Sequence, residues 1–429
     1  MQIHDKASLV KVNKSDIKFV LSVIFFKIIL DLSYYFVISP IWGYEGLQVN
    51  LNLFKLLESY FLLIPVMLLM PKNRYRLSSI FIWLLILISY IPMLTFYAFM
   101  DQPRIYMYAV TIFWILVFML MRIKVPAIKK IKQSKIISYF IISVLLLYAV
   151  FVSILYFSTS FNFDLTQVYI VRSLYTATAI PLAGYLLNWA ACIINPLLFA
   201  IFLIKKKWFP LILIILLQLV LFSGTGIRLY LFTLPFVLFI MWVASYRNGM
   251  TYLAVAFSLG ILTGVLSYWL FDDKWLSALL TYRIFIDPAR LSFNYYDFFS
   301  NHEFVLLSDS RIGPLLGLTY PYHLDPPHLI GEVYFHNPNA NVNTGITGDA
   351  YMNFGLWGLL LLCIILSAVL KLIDVCSEGI DLRVGTAVIA IVALMLTNVG
   401  ILTSLMTSGL LLAILLLYLL PVVKKQTHA

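Results

Sequence analysis

Residues 384–423 read VGTAVIAIVALMLTNVGILTSLMTSGLLLAILLLYLLPVV, a run of 40 residues without one charged side chain. A helix that crosses the hydrocarbon core of a bilayer needs about 20 mostly apolar residues. The run is long enough for two crossings, and we predict that they divide near residues 398–404. This stretch alone predicts a membrane protein.

The composition of the whole chain agrees with that interpretation. Of the 429 residues, 62% are hydrophobic and 11% are charged, against about 45–50% apolar and about 25% charged in a soluble domain. A water-soluble enzyme is therefore excluded, and the 16% aromatic content excludes intrinsic disorder. The three cysteines form no CxxC motif, so the sequence supports neither a disulfide framework nor a thiolate zinc site.

Charged residues separate the apolar stretches and so mark the ends of the predicted crossings. The predicted fold is all-α, a polytopic membrane protein with about twelve transmembrane helices and one large periplasmic loop. We divide it into N-terminal membrane helices (1–271), the loop (272–350) and C-terminal membrane helices (351–429). The predicted spans are 19–39, 53–70, 78–99, 105–121, 136–158, 184–204, 208–223, 229–246, 250–271, 351–371, 384–401 and 404–423.

The basic residues predict the orientation. With the N-terminus inside, 21 of the 30 lysines and arginines face the cytoplasm, which obeys the positive-inside rule and places both termini there. The net charge of +11 is then explained by the membrane surface, and no nucleic-acid partner is implied. In the first predicted span, Lys27 and Asp31 share one helix face and are expected to neutralise each other. Three further basic residues are expected to snorkel at membrane edges: Lys55, Arg104 and Lys274.

The long loop is the part of the chain where we expect chemistry. Its 79 residues hold 9 of the 19 acidic residues and 4 of the 6 histidines, and loops of this length in compact proteins are usually functional or disordered. Five arginines are expected at the outer face, three of them in this loop. Arginine binds phosphate oxygens in bidentate fashion and stays charged when partly buried, so these residues are either phosphate ligands or interfacial anchors. They are Arg172, Arg228, Arg283, Arg290 and Arg311.

Two of these arginines lie beside predicted turns or helix starts. Arg228 ends the run Ser-Gly-Thr-Gly-Ile-Arg, whose glycines permit a tight turn, although no P-loop motif follows. Asp287 followed by a proline predicts the start of a helix over 288–299, with the aspartate as N-cap. Arg290 would then lie in the first turn, where free amides favour an anion, with Asn294 and Asp297 on the same face.

The other face of that helix is aromatic, and it predicts either an interfacial belt or a platform for sugar rings. Tyr295 belongs to this face. The histidines and acids of the loop have no HExxH-like spacing, so we predict that the protein holds no metal. Asp325, Glu332, His336 and Asp349 are instead the candidates for a general base.

With these residues laid out, the chain resembles the Wzy-type O-antigen and oligosaccharide repeat-unit polymerases. The resemblance covers the layout of the whole chain and about 80 residues in motif: the Ser223–Arg228 hairpin, Arg283-Ile-Phe-Ile-Asp-Pro, Asn294-Tyr-Tyr-Asp-Phe-Phe, and the return Asn343-Thr-Gly-Ile-Thr-Gly-Asp-Ala-Tyr-Met-Asn-Phe-Gly. His336-Asn337 is similar to the His-Asn pair of the related O-antigen ligases, with more residues before the Phe-Gly turn.

The resemblance implies a GT-C-like fold and metal-independent glycosyl transfer at the outer face of the bacterial inner membrane. The growing glycan on undecaprenyl pyrophosphate is the donor, and an incoming lipid-linked repeat unit is the acceptor. A chain-length-regulating co-polymerase is the implied protein partner, and no cofactor is implied. A lipid-linked oligosaccharide flippase and an O-antigen ligase are the alternatives. We predict catalytic roles for Arg290, His336, Asp325 and Glu332, and binding of pyrophosphate or glycan by Arg172, Arg228, Arg283, Tyr295 and Asp297.

Overall fold

A computed structural model describes residues 14–73, 75–124, 126, 135–156, 183–310 and 313–420. Helices and turns make up this part of the chain, and it contains no β-strand. In chain order the helices are α1 (Ile17–Glu45), α2 (Leu53–Leu69), α3 (Leu77–Phe99), α4 (Arg104–Arg122), α5 (Ile136–Leu155), α6 (Gly184–Ile204), α7 (Trp208–Thr225), α8 (Arg228–Ala244), α9 (Gly249–Phe271), α10 (Asp287–Asn301), α11 (Pro326–Phe335), α12 (Ile346–Cys376), α13 (Leu382–Met395) and α14 (Ile401–Leu419).

Nine of these helices, within the described residues, are long and apolar enough to cross a membrane. The protein is therefore a multi-pass membrane protein. The remaining predicted spans coincide with α2, α8 and α13, which have 17, 17 and 14 residues, so the number twelve stays a prediction. The 40-residue uncharged run does divide into two helical parts, with the interruption between α13 and α14.

Four of the prolines in helical segments follow π-helical turns, whereas Pro65 in α2 and Pro235 in α8 lie inside helices without one. A proline in an α-helix lacks a hydrogen-bond donor, and its ring clashes with the carbonyl of the preceding turn. A π turn is wider and shifts the hydrogen bonds by one residue, so the helix passes the proline without ending. The π segments are Tyr34–Ile38 before Pro40, Ile86–Tyr90 before Pro92, Ala190–Ile194 before Pro196, and Ala278–Ile286 before Pro288.

The last of these π segments changes the expected start of α10. The predicted helix over 288–299 is confirmed, but the expected N-cap role of Asp287 is wrong. The chain enters α10 already helical, with Ile286 at φ −82° and ψ −46° and no side-chain cap. The first turn of α10 therefore offers no free helix N-terminus for an anion.

The chain reaches α10 by turning back along α9. The Oγ of Ser277 donates a hydrogen bond to the carbonyl of Gly264 at 2.8 Å, and the rings of Phe257 and Phe285 lie 5.6 Å apart. The aromatic face of α10 is buried between helices, and the ring of Phe293, for example, lies 5.3 Å from that of Tyr106. It forms a core, so both expectations for this face, the interfacial belt and the sugar platform, are wrong.

Two lysines of the membrane helices are deeply buried. Lys27 is 0% exposed and its Nζ lies 3.0 and 2.9 Å from the two carboxylate oxygens of Asp31, which confirms the predicted pair. Lys55 was expected to snorkel, and this is wrong. It is 6% exposed, because its Nζ binds the carbonyls of Asp101 and Gln102 at 2.9 and 2.6 Å and so ties α2 to the α3–α4 turn.

Helix α12 is broken after its second turn. Gly355 has φ +59° and ψ −140°, a conformation that is essentially restricted to glycine. The carbonyl of Met352 accepts from the amide of Val305 at 3.0 Å, and that of Asn353 from Leu306 at 3.3 Å. The loop that follows α10 thus caps the short N-terminal part of α12, which positions this loop against the membrane helices.

We expect Gly355→Ala to destabilise the folded protein by about 1–3 kcal/mol, because an alanine must adopt a strained backbone conformation. A Cβ there would also lie 2.8 Å from the ring of Phe304. Thermal unfolding of the purified protein in detergent measures the effect. The matched control is Gly260→Ala in α9, where a Cβ meets nothing within 4 Å. An unchanged melting temperature for Gly355→Ala would contradict this account of the break.

Candidate functional site

Arg290 is a buried cation beside the C-terminal end of α1. It is 6% exposed, and its Nη2 donates a hydrogen bond to the carbonyl of Glu45 at 2.5 Å. Its Nη1 lies 3.9 Å from Oε2 of Glu45, beyond hydrogen-bond range, and is buried without a hydrogen-bond partner among the described residues. The ring of Phe335 covers the guanidinium at 4.4 Å. Arg290 therefore keeps donor capacity that the described residues do not use.

Glu45 is the residue of this site that sequence reasoning missed. It ends α1, and Gly46 turns the chain away with φ +89°. Tyr282 stacks on Trp42 with 4.7 Å between ring centroids and donates its hydroxyl to Oε2 of Glu45 at 2.9 Å. Glu45 and Arg290 are 245 residues apart in sequence. The only signal in the sequence is an acid among aromatic residues at the end of a predicted span.

Two more charges complete what we call the Arg290 cluster, made of Glu45, Tyr282, Arg283, Asp287, Arg290 and Phe335. Arg283 lies 3.6 Å from Asp287, and its side chain is 57% exposed. Burial raises the pKa of Asp287, although Arg283 and Arg290 oppose the shift. Burial and the neighbouring acids Asp287 and Glu45 raise the pKa of Tyr282, so its hydroxyl stays a donor to Glu45.

Tyr295 and Asp297 belong to the contacts of α10 with its neighbours. Tyr295 is buried and donates to the carbonyl of Val342 at 2.8 Å. Asp297 is exposed and accepts a hydrogen bond from the hydroxyl of Tyr334. This second bond holds the C-terminal end of α11, including the neighbouring Phe335, against α10.

The candidate bases in the loop are distributed along α11 and not gathered at one point. Asp325 precedes the helix, with Oδ1 2.6 Å from Nδ1 of His328, and Oε2 of Glu332 lies 3.0 Å from Nε2 of His323. His336 ends the helix with φ +51° and is exposed. Eleven residues at about 1.5 Å each separate Asp325 from His336 along the helix. Only His336, directly after Phe335, adjoins the Arg290 cluster.

Asp349, the fourth candidate base, lies near the start of α12. Its carboxylate packs against Gly400, where a Cβ would lie 2.3 Å from Oδ2. The close approach requires a glycine at this position. Asp349 therefore belongs to the contact of α12 with the segment that joins α13 and α14.

The remaining arginines are placed differently. Arg228 begins α8 and is partly buried, after Gly226 at φ +64°, which confirms the predicted tight turn. Gly224, near the end of α7, lies against Tyr156, the residue after α5. A Cβ on Gly224 would be 2.1 Å from the carbonyl oxygen of Tyr156. Arg172 and Arg311 lie outside the described residues.

Metal-ligating side chains are scattered in the part of the chain that the structure describes. It contains no group of three or more His, Cys, Asp or Glu residues arranged to hold a metal ion. Cys192, Cys363 and Cys376 are all buried. The pairs of histidine and carboxylate along α11 are therefore interpreted as hydrogen-bonded pairs of the loop.

Comparison with protein-family models, with curated proteins and with solved structures finds no match to this chain in any of the three. The geometry of the Arg290 cluster and the sequence resemblance are thus the basis for a functional proposal.

Proposed function

We propose that this protein polymerises a surface polysaccharide at the periplasmic face of the bacterial inner membrane. It transfers the growing glycan from undecaprenyl pyrophosphate to a lipid-linked repeat unit. A hydroxyl of the incoming unit attacks the anomeric carbon of the donor, the bond to the pyrophosphate oxygen breaks, and the pyrophosphate leaves with the electron pair. The observation that carries the proposal is the buried Arg290, whose Nη1 has no hydrogen-bond partner in the described part of the chain.

A buried donor without a partner costs about 1–3 kcal/mol, so its retention favours a role in binding. A pyrophosphate oxygen satisfies such a donor, and arginine stabilises developing charge on a leaving phosphate without a metal ion. Arg283, with its exposed guanidinium, can bind a second oxygen. The hydroxyl proton passes to a base, for which Glu45 and His336 are the nearest candidates in this proposal.

The proposal requires that α11 moves. Phe335 covers the Arg290 guanidinium at 4.4 Å, and the hydrogen bond from Tyr334 to Asp297 holds this cover in place. A pyrophosphate therefore reaches Nη1 only when the C-terminal end of α11 lifts. Closure after binding would exclude water from the reaction.

Deletion of the gene, followed by electrophoresis of the surface polysaccharide, tests the proposal against its alternatives. A polymerase predicts glycans that carry one repeat unit. Loss of glycan with intermediates kept in the cytoplasm would identify a flippase. Unattached polymer would identify an O-antigen ligase, which differs only in its acceptor. Addition of the gene on a plasmid should restore long chains.

The proposed function requires the loop to lie on the periplasmic side of the membrane. Reporter fusions at Lys130, Lys206 and Lys425 should report the cytoplasm, and a fusion within 300–340 should report the periplasm, because basic residues are retained inside. Alkaline phosphatase and green fluorescent protein fusions measure the two sides. A cytoplasmic signal from the loop would remove the Arg290 cluster from the face where the proposed donor is presented.

We also expect the proposed reaction to need no metal. Chelators should leave polymerisation in membrane vesicles intact, because arginines can neutralise the leaving pyrophosphate. Elemental analysis of the purified protein should find less than one zinc or calcium ion per chain. One tightly held ion, removed together with activity by a chelator, would instead make Asp325, Glu332 and His336 metal ligands.

A further inference from the structure

The turn that follows α10 borders an open depression of about 860 Å³. Asn301, Glu303, Phe304 and Tyr322 lie in its wall. We propose that this depression binds a neutral oligosaccharide. The site is separate from the Arg290 cluster, and none of its wall residues is among the candidate residues identified in the sequence.

The chemistry of the wall selects the ligand class. The described residues that line it include Glu303 and no lysine or arginine, so these residues do not attract phosphate or another polyanion. The ring of Phe304 is 38% exposed, and Tyr322 provides a second ring. Aromatic faces pack against the C–H face of a sugar, while a carboxylate accepts hydrogen bonds from its hydroxyls. An open, shallow shape fits a chain of sugars better than a small compact ligand.

The amide of Asn301 adds to this set. Its Nδ2 donates to the carbonyl of Asp297 at 3.0 Å and to Oγ of Ser300 at 3.2 Å. These bonds fix the orientation of the amide at the end of α10. Its Oδ1 accepts no hydrogen bond within the described residues and remains an acceptor for a hydroxyl.

The loop that forms the wall is held rigidly, which favours binding by lowering the cost of ordering. Leu306 and Leu307 both have positive φ, +54° and +63°, which is strained for bulky side chains. Oδ1 of Asn353 accepts the amide of Leu307 at 2.8 Å and holds this conformation. His302 stacks on Phe298 with 4.1 Å between ring centroids and an interplanar angle of 2°. Strain of this kind concentrates at functional sites.

The position of the depression connects it to the proposed reaction. Helix α10 runs from Arg290 near its start to Asn301 at its end, a rise of roughly 16 Å at about 1.5 Å per residue. A glycan whose pyrophosphate is bound at Arg290 would reach the depression after a few sugars. This part of the inference rests on the proposed function, whereas binding of an oligosaccharide by the depression does not.

Direct binding tests the site. The probe is a set of short neutral oligosaccharides, released by partial acid hydrolysis from the surface polysaccharide of the bacterium that carries the gene. Saturation-transfer NMR and calorimetry measure their binding to the full-length protein in nanodiscs. We expect Glu303→Gln to weaken binding about ten-fold, because it removes one charged hydrogen-bond acceptor. Tyr322→Ala should weaken it similarly. The matched control is Glu378→Gln, at an exposed turn outside the depression, which should bind as the wild type does.

The outcomes separate this inference from the proposed function. Wild-type binding by both Glu303→Gln and Tyr322→Ala, or no binding by the wild type, overturns the inference even if Arg290 variants fail to polymerise. Arg290→Lys should bind the free oligosaccharides normally. Weak binding by the Glu303 and Tyr322 variants, together with full polymerisation by the Arg290 variants, would support oligosaccharide binding in the depression. The same result would contradict pyrophosphate binding at Arg290. Melting temperatures near that of the wild type show that the variants are folded.

Discussion

Arg290→Lys should shorten the surface polysaccharide to a few repeat units, although it preserves the positive charge. A lysine presents one compact charge and cannot donate to two phosphate oxygens in the fork geometry of a guanidinium. Loss of one donor to a transition state typically costs about 10²–10³ in rate. Arg290→Ala should reduce chain length further. Electrophoresis of the polysaccharide from a complemented deletion strain measures both effects.

The controls separate a role in binding from a role in folding. Arg383→Lys is the matched change, because Arg383 forms an ion pair with Asp381 at 2.7 Å on the side predicted to be cytoplasmic. It should leave chain length normal. Glu45→Gln keeps the backbone carbonyl that Arg290 contacts and should also shorten the chains. Full-length glycan from the lysine and alanine variants of Arg290, at normal membrane levels, would exclude the pyrophosphate contact.

Asp31→Asn should destabilise the protein by about 3–5 kcal/mol, because it leaves the charge of Lys27 buried without a counterion. Asp31 also accepts hydrogen bonds from Tyr60 at 2.7 Å and from Thr95 at 2.6 Å. Helices α1, α2 and α3 therefore meet at this carboxylate. Denaturant unfolding of the purified protein in detergent, followed by tryptophan fluorescence, measures the change.

A second substitution tests whether the buried charge causes the loss. Adding Lys27→Met removes that charge, so the double variant should be more stable than Asp31→Asn alone. The difference in a double-mutant cycle gives the coupling energy of the pair. Lys274→Met at an exposed position is the control and should change stability little. If Asp31→Asn unfolds at the same denaturant concentration as the wild type, the pair does not stabilise the bundle.

Local sequence determined which segments are membrane helices. The free-energy cost of placing a segment in hydrocarbon depends on the charged and apolar residues of that segment. Every predicted span overlaps a helix in the described part of the chain, and the helix predicted over 288–299 is α10. The Lys27–Asp31 pair was likewise predictable, since residues four apart lie on one helix face. Arg290 was also identified from local sequence, as an arginine in the first turn of a helix predicted in the long loop.

The partners of those residues depended on the tertiary structure. Periodicity cannot show that α10 is entered through a π segment, so Asp287 was assigned as an N-cap. It also cannot show that Lys55 binds the carbonyls of the α3–α4 turn instead of extending to the membrane surface. The aromatic face of α10 predicted a surface feature, but the helix lies between others and its rings are buried.

The same distinction applies to the candidate site. The sequence by itself determined that the chain crosses the membrane many times, and it identified Arg290 as a candidate anion ligand. Only the tertiary structure brought Glu45 to it from 245 residues away, placed Phe335 over it, and separated Asp325 from His336 by the length of α11. The physical reason is that hydrophobic burial and helix periodicity are local properties of the chain. Contacts between helices depend on how whole faces pack, and no short segment encodes that packing.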